Sequence, residues 1–64
     1  MQVIVCINCN SAAFENEDDR ASELARIFSH VATLAQAGLA PSQGPVTLRD
    51  YNGNKCGTMR FVLL

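Results

Sequence analysis

The sequence lacks the features that would place it in a membrane or in a secreted disulfide scaffold. No apolar run approaches the ~20 residues that span a bilayer. The segment from Met1 to Asn10 carries no basic stretch before its apolar residues, so it predicts a strand and not a signal peptide. Its 3 cysteines are an odd number and too few for a secreted framework. We therefore expect a cytoplasmic protein with no membrane partner.

The chain is also short, and it is poor in groups that carry chemistry. Its 64 residues make one domain, residues 1–64, which buries only about 60% of the surface that its unfolded form exposes. Little room remains for a pocket of roughly 300 Å³ or more. His30 is the single histidine and has no carboxylate three or four residues away, so a solvated side chain is favoured over a general base. We expect no enzyme, no catalytic residue and no cofactor.

Cys6 and Cys9 form a C-x-x-C pair, which deserves a comparison with redox and metal sites. A redox pair of this kind opens a helix, whereas this one lies in a predicted strand. Its odd separation points the two sulfurs to opposite faces. A zinc site would have to recruit Cys56 and His30, and His30 falls in the middle of a predicted helix. Small apolar filler is the favoured interpretation of the cysteines, and we expect no metal site.

Three segments carry regular patterns. Gln2 to Cys9 is rich in β-branched residues and predicts a first strand. Asn16 followed by Asp19 predicts a helix cap, and apolar residues then recur at three- and four-residue spacing over about five turns until Gly38. The predicted polar face of this helix comprises Ser22, Glu23, Arg26, Ser29, His30 and Thr33.

The carboxyl-terminal part predicts a hairpin. Val46 to Tyr51 alternates as a strand does, and Asn52-Gly53 is the signature of a type I′ turn, which requires positive φ at both central residues. The returning strand runs from Gly57 to Leu64, with Met59, Phe61 and Leu63 predicted to face the helix.

These elements predict an α+β fold of two layers, β-α-β-β, with one helix on one face of a three-stranded antiparallel sheet. The last strand is the most apolar, so we place it in the middle, which gives the order 1-3-2. The other sheet face has no cover. An apolar patch of Ile4, Cys6, Tyr51 and Val62 is expected there, and it would suit a weak homodimer or a partner; a monomer is the alternative.

The acidic residues are concentrated near the start of the helix. Five of the six acids fall within nine residues and share that segment only with Arg20, for a net charge of −4. Helix-dipole compensation and docking on a basic partner groove are about equally favoured, since each acid contributes only about 0.3–1 kcal/mol to the dipole. The candidate partner-binding residues are Glu15, Glu17, Asp18, Asp19 and Glu23.

Direct nucleic-acid binding is a weaker alternative. Arg49, Tyr51 and Arg60 could share the open sheet face, as aromatic and basic residues do in RNA-binding sheets. The signature motif of those sheets is missing, and the sequence pI of about 5.6 lies far below the basic range. We expect no direct nucleic-acid contact.

Motifs along nearly the whole chain resemble a family of small β-α-β-β proteins encoded by phages and mobile elements. Members typically read "NAAF" after the first strand and "LRDxNGNxxG" in the hairpin. The matching stretches here are Asn10 to Glu15, the helix around Ala25 to Ile27, and Leu48 to Asn54 with Gly57; Ser11 is an insertion relative to the family pattern. The resemblance implies the same fold.

Within that family, the size and acidity are similar to those of anti-CRISPR proteins of the type I-C inhibitor kind. This resemblance implies binding to the Cascade surveillance complex, through Cas8, Cas5 or a backbone subunit, and obstruction of its target-DNA recognition. DNA mimicry by the acidic residues is a natural mechanism, although that assignment comes from charge clustering and not from a family motif. The alternatives are a structural or accessory phage protein that homodimerises through its open sheet face, and a small nucleic-acid-binding module.

Overall fold

The computed structural model describes residues 1–63, which form a three-stranded antiparallel sheet and one long helix. The sheet order is β1-β3-β2, so the predicted α+β fold and the central position of the last strand are confirmed. The elements are β1 (Gln2–Ile7), a 3-10 turn (Ala12–Phe14), α1 (Glu17–Gln36), a second 3-10 turn (Pro41–Gln43), β2 (Val46–Arg49) and β3 (Lys55–Val62).

The middle strand joins the two edges through one transverse row of side chains. Met59 of β3 pairs with Val5 of β1 and with Val46 of β2, and all three project to the helix-covered face. Met59 is buried while its two neighbours are half-buried. The central strand therefore has the least access to water, although β1, with five apolar residues among six, is more apolar than β3, with four among eight.

The helix begins and ends where the capping signals predict. Asn16 is the N-cap: its side-chain oxygen accepts the Asp19 backbone N–H at 2.8 Å. At the other end, Ala37 donates to the Thr33 carbonyl, and Gly38 follows with φ +91°. That left-handed conformation costs a side chain steric strain but suits glycine, so the chain turns away from the helix axis here.

The core is small and draws on every layer. Its largest fully buried side chains are Phe14 from the first 3-10 turn, Ile27 from α1 and Leu48 from β2. Cys56 joins them because of a β-bulge: Leu48 pairs with Gly57 and the next residue, Arg49, pairs with Lys55. Cys56 lies between Lys55 and Gly57 and has no partner residue in β2, and the bulge turns its side chain into the core.

The hairpin turn differs from the predicted type I′. Gly53 has φ +83°, but Asn52 does not have positive φ, and a type I′ turn needs it at both. Instead Asp50 and Asn54 close a three-residue loop, with the Asp50 N–H donating to the Asn54 carbonyl at 2.9 Å and Gly53 donating to the Asp50 carbonyl at 3.0 Å. This is the turn-plus-glycine arrangement of three-residue hairpin loops. Tyr51 consequently lies in the loop and not in a strand.

One predicted core residue is exposed. Met59 is buried as expected and Phe61 is half-buried, but Leu63 lies beyond the end of β3 with 74% of its surface exposed. The alternation of side chains along the strand identifies which residues face the helix. It does not show at which residue the helix stops covering that face of the sheet.

Candidate functional site

Four of the five candidate acids lie together on the surface where the chain enters the helix. Glu17, Asp18 and Asp19 form the first helical turn, and Glu15 precedes the cap. All four are exposed. The segment that carries them is anchored to the core, because Ala13 and Phe14, immediately before it, are buried there. We call Glu15, Glu17, Asp18 and Asp19 the acidic surface.

The members of the acidic surface differ in how free their carboxylates are. Asp19 accepts a hydrogen bond from the Asn16 side-chain amide at 2.7 Å, which completes the reciprocal cap. Within residues 1–63 the only ion pair joins Glu23 and Arg26, so the carboxylates of Glu15, Glu17 and Asp18 have no cationic partner there. The positive end of the helix dipole stabilises charge at this position, each acid by about 0.3–1 kcal/mol. The site thus carries three unpaired carboxylates on a rigid support.

Glu23 does not belong to this surface, and its predicted place on the polar helix face is wrong. It is only 5% exposed, because it lies one turn before Ile27 on the stripe that faces the sheet. The Arg26 Nε lies 3.2 Å from both of its carboxylate oxygens, and the Arg26 Nη2 bonds one of them as well as the Arg49 carbonyl at 2.7 Å. The hydrogen bond with Glu23 raises the pKa of Arg26. Glu23 therefore positions an arginine that ties the helix to β2.

Asp50 is a buried polar residue that the sequence analysis did not single out. It is 4% exposed, and its Oδ1 accepts the backbone N–H groups of Asn52 and Asn54 at 2.9 and 3.0 Å. Its Oδ2 accepts the Ser11 hydroxyl at 3.1 Å, a contact across 39 residues. An aspartate that precedes a turn readily binds the backbone N–H groups that follow it. The sequence D-Y-N-G-N, an aspartate two residues before a turn-forming N-G-N, was a local signal for this contact.

This contact brings together two of the stretches that carry the family resemblance. The segment after β1 and the hairpin loop meet at the Ser11–Asp50 hydrogen bond. The adjoining groove, about 390 Å³ in volume, is open to solvent. It is lined by Asn8, Asn10, Ser11, Lys55, Cys56 and Gly57. The lining holds one cation and no exposed carboxylate, and Asp50 is occupied by its three donors, so the groove assembles no acid–base pair.

The cysteines follow the predicted division between the two sheet faces. Cys6 is exposed on the open face, whereas Cys9 packs against the core cluster, so the C-x-x-C sulfurs point apart as predicted. Cys56 is buried, its Sγ lies 3.5 Å from the Leu48 carbonyl oxygen, and burial raises the pKa of its thiol. Over residues 1–63, no three potential metal ligands converge.

The open sheet face carries only part of the predicted apolar patch. Register places Ile4 opposite Arg60 and Val62 opposite Gln2 on this face, and Cys6 opposite Thr58. Ile4 and Val62 are half-buried by their neighbours, and Tyr51 is absent from the face because it lies in the hairpin loop. A charged residue therefore stands in the middle of what the sequence predicted as an apolar surface.

The same geometry separates the residues of the nucleic-acid alternative. Arg49 donates from Nη1 to the Gly53 carbonyl at 3.0 Å and so folds over its own hairpin. Tyr51 is 63% exposed in that loop, whereas Arg60 lies on the open face of the central strand. The basic and aromatic groups thus do not form the continuous platform on which single-stranded bases stack.

Comparison with known proteins adds no relative. No family model, no curated protein and no solved structure matches this chain. Among the described residues, no helix is both long enough and apolar enough to cross a membrane.

Proposed function

We propose that this protein is an inhibitor that works by binding, using the acidic surface to occupy a basic, phosphate-reading groove on another protein. The resemblance to phage-encoded proteins directs the proposal to the type I-C Cascade complex in the bacterial host cytoplasm, where the inhibitor would block target-DNA recognition. The observation that carries it is the group of three exposed, unpaired carboxylates at a capped helix end, Glu15, Glu17 and Asp18.

The physical basis is competition with phosphate for the same cations. A DNA-binding groove holds DNA through lysines and arginines that contact phosphates, and carboxylates held at fixed positions can pair with the same cations and so exclude the DNA. Carboxylates on a rigid capped turn lose less conformational entropy on docking than carboxylates in a flexible tail. The well-anchored start of α1 therefore favours affinity as well as stability.

Dipole compensation alone would explain the same acids, and an experiment separates the two roles. Neutralising Glu17 and Asp18 together (Glu17→Gln/Asp18→Asn) should cost about 1 kcal/mol of stability through the helix dipole. If the acids also dock, this variant should bind purified type I-C Cascade at least about tenfold more weakly, or about 1.4 kcal/mol. Asp19 is left intact because its side chain completes the helix cap.

The matched control changes the net charge equally at a distant part of the same helix. Ser29→Lys/Gln36→Lys also raises the net charge by two, here by adding two lysines at exposed positions, and it should bind like the wild type. Binding is measured by biolayer interferometry at several salt concentrations, and inhibition by a gel shift of Cascade with its DNA target. Equal loss in both variants would contradict docking through the acidic surface. A wild type that shows no binding at about 100 µM would remove Cascade as the partner.

A further inference from the structure

The first observation concerns the free edge of β1. The order β1-β3-β2 leaves two edge strands, and they are built differently. The β2 edge is four residues long, follows Pro45, carries Arg49 and lies beside the bulge, all of which discourage pairing with another strand. The β1 edge, Gln2–Ile7, is six residues long, with no charge, no proline and no bulge in its register with β3. It lacks every protective feature that the other edge has.

The hydrogen-bonding groups on this free edge can be identified. Asn8 donates its N–H to the Cys56 carbonyl at 2.6 Å, so its backbone points toward β3. Orientation alternates along an antiparallel strand, so the N–H and C=O groups of Val3, Val5 and Ile7 point outward from the sheet. An extended strand laid along the edge would satisfy all of them.

The second observation concerns the exposed flank of α1. One flank faces β2, since Arg26 donates to the Arg49 carbonyl at 2.7 Å and shares a groove with His30 and Thr47. The opposite flank therefore points away from β2, toward the β1 side of the sheet. It carries an exposed apolar stripe at spacings of four, three, four and three residues, with Phe28 51% exposed at its centre. We call this the helix stripe: Ala21, Ala25, Phe28, Ala32 and Ala35.

That spacing is the repeat by which two helices pack side by side along their lengths. The helix stripe contains no charged residue, and small residues surround one large aromatic ring. Such a surface suits a neighbouring helix that carries one large aromatic ring and several small residues. The ring of the neighbour can then pack against an alanine of the helix stripe, and a small residue of the neighbour can pack against Phe28. In an antiparallel pair of identical helices, Phe28 of one copy can pack against Ala25 of the other, and the reverse contact follows by symmetry.

We propose that a second copy of this chain covers both surfaces. The partner must present a strand and a helix side by side on one flank, and this chain presents that combination itself. A two-fold axis at Val5 pairs the two β1 strands antiparallel, with Val3 opposite Ile7 of the partner subunit. All three outward positions are then used, which gives about six new hydrogen bonds and a continuous six-stranded sheet. The two helices lie antiparallel on the same face, stripe to stripe.

Electrostatics permit this arrangement. Neither β1 nor the helix stripe contains a charged side chain, so two identical surfaces meet without repulsion. The antiparallel helices, each 20 residues or about 30 Å long, place the two acidic surfaces near opposite ends of the dimer. That separation exceeds the Debye length of about 8 Å at physiological salt, so the two acidic surfaces scarcely repel each other. The dimer is independent of the proposed function and leaves both acidic surfaces exposed.

Sedimentation equilibrium tests the proposal on the intact chain, with an expected mass of twice 6.9 kDa. Phe28→Glu should give a monomer with unchanged circular dichroism, because the side chain is exposed within one copy. Ser29→Glu places the same charge one residue away, at a position on the polar flank that is also exposed, and this variant should remain a dimer. Mixing Phe28→Glu with Phe28→Lys should restore a dimer of opposite charges.

Hydrogen exchange provides a second readout that names the strand edge. In the wild type, the amides of Val3, Val5 and Ile7 should become protected as concentration rises, and Phe28→Glu should remove that protection. A wild type that stays monomeric up to about 1 mM would overturn the proposal. A dimer that survives Phe28→Glu would also overturn it. The same holds if Cys6→Lys, on the open sheet face, abolishes the dimer while the amides of Val3, Val5 and Ile7 exchange freely in the wild type.

Discussion

Replacing Asp50 with alanine should strongly lower the free energy of unfolding. The carboxylate accepts the Ser11 hydroxyl and the N–H groups of Asn52 and Asn54. Asp50→Ala removes all three hydrogen bonds at once. It leaves a cavity beside the hairpin and frees the loop after β1 from its contact with the hairpin.

The structure allows the magnitude to be worked out. Hydrogen bonds to a charged group contribute about 1.5–3 kcal/mol when the freed donor cannot reach water. Asn52 and Asn54 are exposed, so water can replace much of what their N–H groups lose. A value of about 1 kcal/mol for each of the three bonds gives a loss of about 3 kcal/mol. At roughly 0.05–0.15 kcal/mol per residue, that is a third or more of the total stability of such a chain.

Two milder variants separate the parts of this loss. Asp50→Asn keeps the Oδ1 acceptor for both backbone N–H groups, and its amide can donate to the Ser11 hydroxyl, so we expect a loss of about 1 kcal/mol. Ser11→Ala removes only the long-range hydrogen bond and should also cost about 1 kcal/mol. The double variant Ser11→Ala/Asp50→Ala should cost less than the sum of the two single losses, since they share one hydrogen bond.

Urea denaturation followed by circular dichroism measures these differences. Thermal unfolding gives an independent value, with a fall of about 12–24 °C in Tm expected for Asp50→Ala in a domain of this size. The reasoning would be refuted if Asp50→Ala lay within about 0.5 kcal/mol of the wild type. Equal losses of stability in Asp50→Ala and Asp50→Asn would also refute it, because the side-chain oxygen that accepts the two backbone N–H groups would then contribute nothing.

Two further predictions concern positions in β3. Gly57→Ala should prevent stable folding, because the new Cβ would collide with the Cys6 carbonyl oxygen and crowd Ile7 Cα. Circular dichroism would show the loss of structure, and the control variant Thr58→Ala, one residue along, should fold normally. Burial raises the pKa of the Cys56 thiol, so the unfolded chain loses this proton first and stability should fall as the pH rises through the alkaline range. Urea titrations across that range should show the fall in the wild type and a smaller one in Cys56→Ala. An unchanged slope in Cys56→Ala would assign the fall to another group.

Much of the fold follows from local patterns that a sequence displays directly. The helix start at Asn16 and its end before Gly38 are fixed by capping chemistry within a few residues. The central place of β3 was predicted correctly, but apolar content alone does not require it, since β1 is the more apolar strand. The clustering of Glu15, Glu17 and Asp18 on the surface also follows, since acids favour an exposed helix amino terminus whatever lies elsewhere.

Two of the errors concern carboxylates that are buried in the folded chain. Glu23 looked polar and exposed, but Arg26 neutralises it and also binds the Arg49 carbonyl, 23 residues further along. Asn52-Gly53 suggested a type I′ turn, but the Asp50 carboxylate binds two N–H groups of the loop and a three-residue turn forms. Both buried carboxylates have their hydrogen bonds satisfied. The contact from Arg26 to Arg49 joins segments far apart in the chain, whereas the contacts of Asp50 with Asn52 and Asn54 lie within one loop and local sequence could have indicated them.

The sequence by itself determined the helix and the three strands, their order along the chain and the exposed acids at the start of the helix. These depend on periodicity, capping and charge, which act over one or two turns of chain. Only the tertiary structure decided that Glu23 is buried, that Asp50 joins the hairpin to the loop after β1, and which strand edge and helix flank stay uncovered. Those outcomes depend on residues far apart in the chain, because burial and hydrogen bonding are set by what lies nearby in space.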